Sequence, residues 1–448
     1  MQKLFFSCCL FLAIHIQAQI VSGPMLGHTE LRTSTIWFEV SDTVNKYQLS
    51  CWDVNNFRRS MQILRAAPVT QHGFSKLVFS IGNLIPGTQY KYQLSLVGVA
   101  KTLASGSFKT QELWQWRKDP PKFSFLAGSC VYINQPEYDR PGKPYGNDSS
   151  IFETMAKEKA DFMLWLGDNW YTREVDYYSE WGLYNRPSFE RKKPLYKNFL
   201  QAMPHYAIWD DHDYGWNDAD KSYPFKETSR NVFQHFWANP SYGQNNQAIY
   251  SKFTWNDVDI FLLDDRWFRS NDDMPDSING KVNTNKEMFG KQQLEWLKNA
   301  LLQSKNNRNI SFRIIATGSQ ILNPVSPYDC FKKFSAEYED FMNFIQENSI
   351  NGLLFFTGDR HHSEVIKVER KGAYPLYDIT SSPLTSGSHK FGGPEKNNAF
   401  RVAGVDDIQN YSRVTIEGTL NNRTLKVEYV DGKGKVLTSW SIGAKELK

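Results

Sequence analysis

The chain has 448 residues, 40% of them hydrophobic and 22% charged, with a formal net charge of +4. That length exceeds one ordinary domain and fits two or three, and the composition is that of a globular protein with a sizeable core. The charge is small for the length and its one compact basic run is Arg191-Lys-Lys193, which argues against a nucleic-acid partner or a membrane-surface footprint.

Residues 1–19 read as a secretory signal peptide: Lys3, an apolar run over residues 4–14, then a polar end with Ala18 at the cleavage point. The run is too short to span a bilayer and no second apolar span follows, so a secreted or periplasmic product without membrane spans is expected. Cleavage would discard Cys8 and Cys9 and leave Cys51, Cys130 and Cys330, an odd set that implies at least one unpaired thiol.

Residues 20–112 carry strand patterns only. Alternating runs at 35–40, 47–53, 75–81 and 90–96 are separated by Gly, Asn and Pro, and Gly106-Ser-Phe-Lys-Thr110 closes the series. Pro86-Gly87 leading into Tyr90 is similar to the corner that pins fibronectin-type sandwiches. The expectation is a small all-β, fibronectin- or Ig-like sandwich that packs on the next domain. A linker with Trp114, Trp116 and Pro120-Pro121 follows, and from 122 to 448 the texture is that of a layered α/β domain, with mixed sheets flanked by helices.

In that second domain strands are expected at 123–127, 162–166, 206–209, 258–263, 312–316 and 353–356, with late strands at 413–417, 424–429 and 436–442 completing or flanking the sheet. Ser150-Ile-Phe-Glu153 reads as a capping box opening a helix to about Lys159. Leu294, Leu297 and Leu301 mark a second helix; Tyr338, Phe341 and Ile345 mark a third. Long irregular stretches at 132–147, 172–187 and 213–224, dense in Tyr, Trp, Gly, Asp and Asn, read as functional rims.

Four strand ends carry the chemistry. Phe125-Leu-Ala-Gly-Ser-Cys130, Asp161-Phe-Met-Leu-Trp-Leu-Gly-Asp-Asn-Trp-Tyr171, Ala207-Ile-Trp-Asp-Asp-His-Asp213 and Leu353-Leu-Phe-Phe-Thr-Gly-Asp-Arg-His-His362 each run from an apolar strand into metal-ligand residue types. Open α/β sheets place their chemistry beyond the carboxyl ends of such strands. Thiolate, carboxylate, phenolate, amide and imidazole together point to metal rather than to a Ser-His-Asp apparatus, and a two-carboxylate glycosidase would leave the Cys, Tyr and His unexplained.

In this order the motifs Gly-Ser-Cys130, Leu-Gly-Asp168-x-x-Tyr171, Trp-Asp-Asp-His212-Asp213 and Gly-Asp359-x-His361 resemble those of the alkaline phosphatase D (PhoD-like) family, of the calcineurin-like metallophosphoesterase superfamily. Leu263-Asp-Asp-Arg-Trp-Phe-Arg269 and Met288-Phe-Gly-Lys-Gln-Gln-Leu-Glu-Trp-Leu297 support the likeness. The resemblance implies ferric iron (Fe3+) held by Cys130, Tyr171 and His361, with Asp168 bridging to a divalent ion, calcium (Ca2+) first and zinc (Zn2+) or manganese (Mn2+) next. Asp211, or its neighbour Asp210, would serve that second ion with Asn217 and Asp359. His212 takes the place of the catalytic histidine that contacts the phosphate and protonates the leaving oxygen. The middle superfamily histidine has no counterpart here, with Gln320 as a substitute, and no twin-arginine leader is present, which leaves the metal to be acquired after export.

The expected activity is hydrolysis of small phosphate esters by a hydroxide bridging two metals, with Asp168 and His212 catalytic. A phosphodiesterase or phospholipase-type hydrolase on the same site, and a non-catalytic exported binding protein, are the rival readings. Arg266 and Arg269 read either as partners of buried carboxylates or as phosphate binders, with Arg266 assigned to substrate. His205 and His235 read as ordinary histidines and His362 as a supporting one. Trp170, Tyr177, Tyr178 and Trp181 read as loop packing or as recognition of an apolar or aromatic leaving group.

Overall fold

A computed structural model describes residues 20–41 and 46–448; the expected leader, with Cys8 and Cys9, lies outside them. Residues 20–109 form two four-stranded antiparallel sheets. One has the order Ile20–Thr29, Ser34–Val40, Phe74–Ile81, Val69–Gln71, and the other Gln62–Ala66, Tyr47–Asp53, Gln89–Leu96, Thr102–Lys109. Alternation turns Ile36, Phe38, Leu49, Leu77 and Leu94 inward to a shared core, as a two-sheet sandwich requires. Tyr90 is buried and its hydroxyl accepts from the Ile85 amide at 2.9 Å, which pins the Pro86-Gly87 turn.

The first strand, Ile20–Thr29, has no alternating pattern because it is buried along both faces between sandwich and second domain. Its Gly27 stands where a Cβ would come within 2.4 Å of the Ala238 Cβ, and His28 N–H donates to the Ala238 carbonyl at 3.0 Å. Met25, Trp37 and Phe74 belong to the core of the larger domain, and Trp37 Nε1 donates to the His235 carbonyl at 2.8 Å. The sandwich is therefore joined to its neighbour through shared core and backbone hydrogen bonds. The linker is anchored too: Arg423 pairs with Asp257 at 2.7 Å, both fully buried, and donates to the carbonyls of Pro120 and Pro121.

The second domain layers two sheets. The first has the order His205–Ile208, Phe162–Leu166, Phe123–Gly128, Asn410–Glu417, Thr424–Asp431, Val436–Gly443; its first three strands are parallel and the three late strands extend it antiparallel. The second has the order Ser251–Trp255, Val258–Leu262, Phe312–Thr317, Leu353–Thr357, Ala373–Thr380, Ser363–Arg370, Arg401–Val405, with a parallel centre. Aromatic contacts fill the space between them, Phe125 on Phe356 at 5.7 Å and Phe162 on Phe253 at 5.6 Å. Helices flank the sheets, among them Ile151–Lys157, Pro194–Ala202, Gly290–Asn306 and Ser335–Glu347.

Two expectations are corrected. Ser150 does not cap the helix Ile151–Lys157: its amide and hydroxyl both donate to Asp148, at 2.9 and 2.7 Å, so the local turn takes the groups a capping box would use. The stretch read as a loop over 172–187 contains most of a helix, Glu180–Arg191. Its buried face carries Arg186, Glu190 and Arg191, so the helical period is invisible to a hydrophobicity reading.

Candidate metal centre

The carboxyl ends of parallel strands from both sheets meet in one place. Phe162–Leu166 runs alongside Phe123–Gly128 and His205–Ile208 in one sheet, as Leu353–Thr357 does with Phe312–Thr317 in the other. Glycines just past the strands permit the approach. A Cβ on Gly358 would lie 2.3 Å from the Leu166 carbonyl oxygen, and one on Gly318 would lie 2.5 Å from the Asp210 Cγ. The Gly358-Asp359 and Gly318-Ser319 junctions are thus demands of packing between sheets.

Beyond those junctions the ligand types converge. Cys130 Sγ, Asp168 and His361 present donor atoms within 4.8 Å of one another, and so do Asp168, Asp211 and His212. Asp168 is common to both sets. Cys130 S–H lies 3.6 Å from Asp168 Oδ2, while Asp168 Oδ1 accepts from the His212 amide at 3.3 Å. The Tyr171 hydroxyl is 3.2 Å from His361 Nε2. Asn217 and Asp359 line the same cavity, whose volume is about 540 Å³. The Asn217 amide group donates to Asp218 at 2.5 Å, which leaves its carbonyl oxygen for a cation.

His361 is held in the tautomer a metal needs. Nδ1 donates to the Gly387 carbonyl at 2.5 Å, so the lone pair on Nε2 faces Tyr171 and the cavity. Cys130, Asp168, Asp359 and His361 have φ of +60°, +52°, +65° and +55°. Left-handed backbone at four non-glycine ligand positions costs energy that the surrounding packing must offset, and such residues cluster at functional sites.

Electrostatics supplies the test of fit. Burial, then the charges of Asp211 and Cys130, raise the Asp168 carboxyl well above its ordinary range. Burial pushes Asp359 to about 6 against the pull of Arg360, and Cys130 to about 11. Burial likewise raises the Tyr171 phenol. Buried anionic donors this close oppose one another until cations balance them, and the mixed S, N and O set fits one harder-charged and one oxygen-preferring ion.

Geometry bears on two of the assignments made from the sequence. Asp210 is fully buried, its Oδ1 accepts from Arg266 Nε at 2.6 Å, and it is not among the residues whose donor atoms gather in the two clusters. Arg266 is only 1% exposed and pairs with Asp210 and with Asp329 at 3.0 Å, which makes it first of all a partner of buried carboxylates. Of the Asp210-Asp211 pair, Asp211 faces the cluster. Replacing Arg266 by methionine leaves Asp210 unpaired in the interior and is expected to lower unfolding free energy by about 3–5 kcal/mol in denaturant titration. Wild-type stability with a raised KM would return Arg266 to the substrate.

The remaining residues divide as follows. Gln320 is committed to Glu364 and Thr380, both at 2.9 Å, and does not reach the cluster. His205 is a satisfied core histidine, accepting from Trp165 Nε1 at 2.9 Å, and His235 bonds Gln71 at 3.2 Å. Trp170 packs on Trp237 in the core. His362, Glu364 and Glu395 form a third buried cluster, but Arg401 and Arg360 pair its carboxylates at 2.6 and 2.7 Å, so its charge is balanced within the chain. Sequence reasoning missed three contacts of His361: Tyr145 at 3.3 Å, the His389 ring at 4.7 Å and the Gly387 carbonyl. None of the three ends a predicted strand. Cys51 and Cys330 are buried free thiols and do not pair.

A model of the PhoD-like phosphatase family matches residues 138–442, more than half of the chain. The chain belongs to that family. The matched stretch takes in every proposed ligand except Cys130, which lies just before it. Alkaline phosphatase D of Bacillus subtilis (strain 168) is 26% identical over 311 residues, covering 61% of this chain and 50% of its own; the match thus spans about half the length of that curated relative. Among solved structures, one of PhoD superposes with a TM-score of 0.75 at 19% identity, covering 96% of this chain and 91% of that one. A purple acid phosphatase from yellow lupin (Lupinus luteus) seeds superposes at 0.67 with 10% identity, covering 94% and 74%. The metallophosphoesterase-like fold, with its N-terminal all-β region, is shared with both.

Proposed function

We propose that this PhoD-like protein is an exported, metal-dependent phosphoesterase of the alkaline phosphatase type. The observation that carries the reading is Asp168, whose carboxylate is common to two ligand clusters at one cleft. As the family resemblance implies, Cys130, Tyr171 and His361 would hold ferric iron and Asp211, Asn217 and Asp359 a divalent ion, calcium first, with Asp168 serving both, a sorting that suits the donor chemistry. When bound there, two cations would supply Lewis acidity toward the phosphoryl oxygens. Among the described residues no helix is long and apolar enough to cross a membrane.

The chain's own residues do the rest. His212 stands at the edge of the cleft, 21% exposed, with its ring stacked 4.1 Å from Tyr171. Its carbonyl accepts from the Thr172 amide at 3.2 Å and hydroxyl at 3.0 Å, which fixes the backbone that carries the ring. Burial lowers its pKa below the usual 6.5, while Asp211, 4.0 Å away, pulls the other way. A proton held at Nε2 is readily surrendered to a departing alkoxide. Asp213 ties the two ligand loops together by accepting from the amides of Asn169 at 3.0 Å and Asp210 at 3.2 Å.

Hydrolysis of a chromogenic phosphate monoester, lost on chelation and restored by metal, tests the activity; a parallel diester tests the phosphodiesterase rival. Iron-loaded protein is expected to be coloured by charge transfer from phenolate and thiolate. Tyr171→Phe is expected to shift or bleach that visible band with the fold intact, and Cys130→Ser to alter it differently. A colourless, fully active protein with zinc or manganese at full occupancy would overturn the ferric assignment and leave the two-metal site standing.

A further inference from the structure

The metal cavity does not end at His212. A second cavity of about 410 Å³ opens beyond that ring, and Tyr145, His212 and Asn217 belong to the walls of both. The character changes across the shared wall. The metal side holds most of the carboxylates, whereas the second cavity gathers the rings of Tyr132, Tyr138, Tyr145, Tyr171, Tyr177 and Trp216 beside a few charged side chains.

These rings are held in place. Tyr132 lies edge-on to Tyr145 at 5.0 Å and under the Arg173 guanidinium at 3.9 Å. Arg173 is fixed in turn by Asp139 at 3.0 Å, by the Ile133 carbonyl at 2.8 Å and by the Tyr171 carbonyl. Tyr177 meets Trp216 at 6.0 Å, and Tyr138 at the rim is 49% exposed. The polar tips of the inner rings are already occupied. The Tyr132 hydroxyl donates to Asp139 at 2.9 Å, and those of Tyr145 and Tyr171 face His361. Between the rings the groove offers a ligand chiefly ring faces and edges, while the charged Arg140, Lys143 and Glu174 also line it.

We infer that this groove is the leaving-group site, and that it selects phosphate esters whose departing alcohol carries a flat aromatic ring. The inference rests on the phosphoesterase reading. The oxygen that takes a proton from His212 must lie against that ring, so the carbon skeleton attached to it continues past His212, where the aromatic cavity lies. Aromatic walls favour a ring that stacks or meets them edge-on, and they offer a small polyol little in exchange for its hydration. A pocket of this size is typical of small-molecule sites. Tyr177 and Tyr138 act as specificity-determining residues.

The test uses metal-loaded full-length protein and two esters of matched leaving oxygen, 3-phenylpropyl phosphate and n-propyl phosphate. The ring-bearing ester is expected to have a kcat/KM about tenfold higher, and 3-cyclohexylpropyl phosphate, of similar size but not flat, to gain less. Tyr177→Ala is expected to bring the phenylpropyl-to-propyl ratio toward one, and Tyr177→Phe to preserve it. Tyr138→Ala, at an exposed position, is expected to reduce the same ratio should Tyr177→Ala not fold. Equal turnover of phenylpropyl and propyl esters overturns the groove assignment and leaves the phosphoesterase reading intact. An equal gain from the cyclohexyl ring overturns the preference for a flat ring. Turnover of no ester at full metal occupancy overturns both readings.

Discussion

Asp168→Ala is expected to strip the centre of metal and reduce ester hydrolysis by on the order of a thousandfold or more. Asp168 is the one donor shared by the Cys130–His361 set and the Asp211–His212 set. Without it, two cations would face each other across a short gap with no anion between them. The loss is not expected to come from misfolding. Burial and the neighbouring charges of Asp211 and Cys130 already disfavour ionised Asp168 in metal-free protein, so deleting the carboxylate relieves crowding there. Metal-free Asp168→Ala should therefore melt no lower than metal-free wild type, while wild type alone gains stability on metal addition. Metal analysis of the purified variant decides the matter, because two ions per chain would show that Asp168 bridges nothing.

His212→Ala is expected to separate chemistry from metal binding. With general-acid catalysis removed, turnover should fall roughly 10²–10⁴-fold, while metal content stays at the wild-type level. His212 also has a ring nitrogen near Asp168 and Asp211, so a ligand role competes with the acid role. Its placement favours the acid. The ring is stacked on Tyr171 at the shared wall of the two cavities, where a departing oxygen would lie. An ester with a very acidic leaving group needs no proton and should lose far less activity in the variant than an alkyl ester does. A variant that loses an ion, with equal loss on both esters, would make His212 a ligand instead.

Much of the site was legible because each motif is local. Phe162–Leu166 is a run of five buried apolar residues ending at Gly167-Asp168, and strand, stop and carboxylate sit within seven positions. Cys130, Tyr171, Asp211 and His361 were readable in the same way, as side chains that follow an apolar strand. The choice between Asp210 and Asp211 was not readable. Adjacent residues of one chemistry differ only in direction, and direction was set by Arg266, fifty-six positions away in sequence and 2.6 Å away in space. The two readings of Arg266 stayed open for the same reason, since an arginine near a phosphate site and an arginine buried against two aspartates have the same sequence signature. Tyr145, Gly387 and His389 gave no signal because they reach His361 from loops with no strand before them.

By itself the sequence determined the strands that lead into the site, the ligand types and the strand ends on which they sit, because hydrophobic period and turn chemistry act over a few residues. It also marked the family, through four short motifs in one order. Only the tertiary structure decided which carboxylate faces the cluster, which arginine is buried, and that the aromatic loops wall a groove continuing from the metal cavity past His212. These are matters of direction and of contact between distant segments. They depend on how two sheets meet at Gly318 and Gly358, and no local pattern along the chain carries that information.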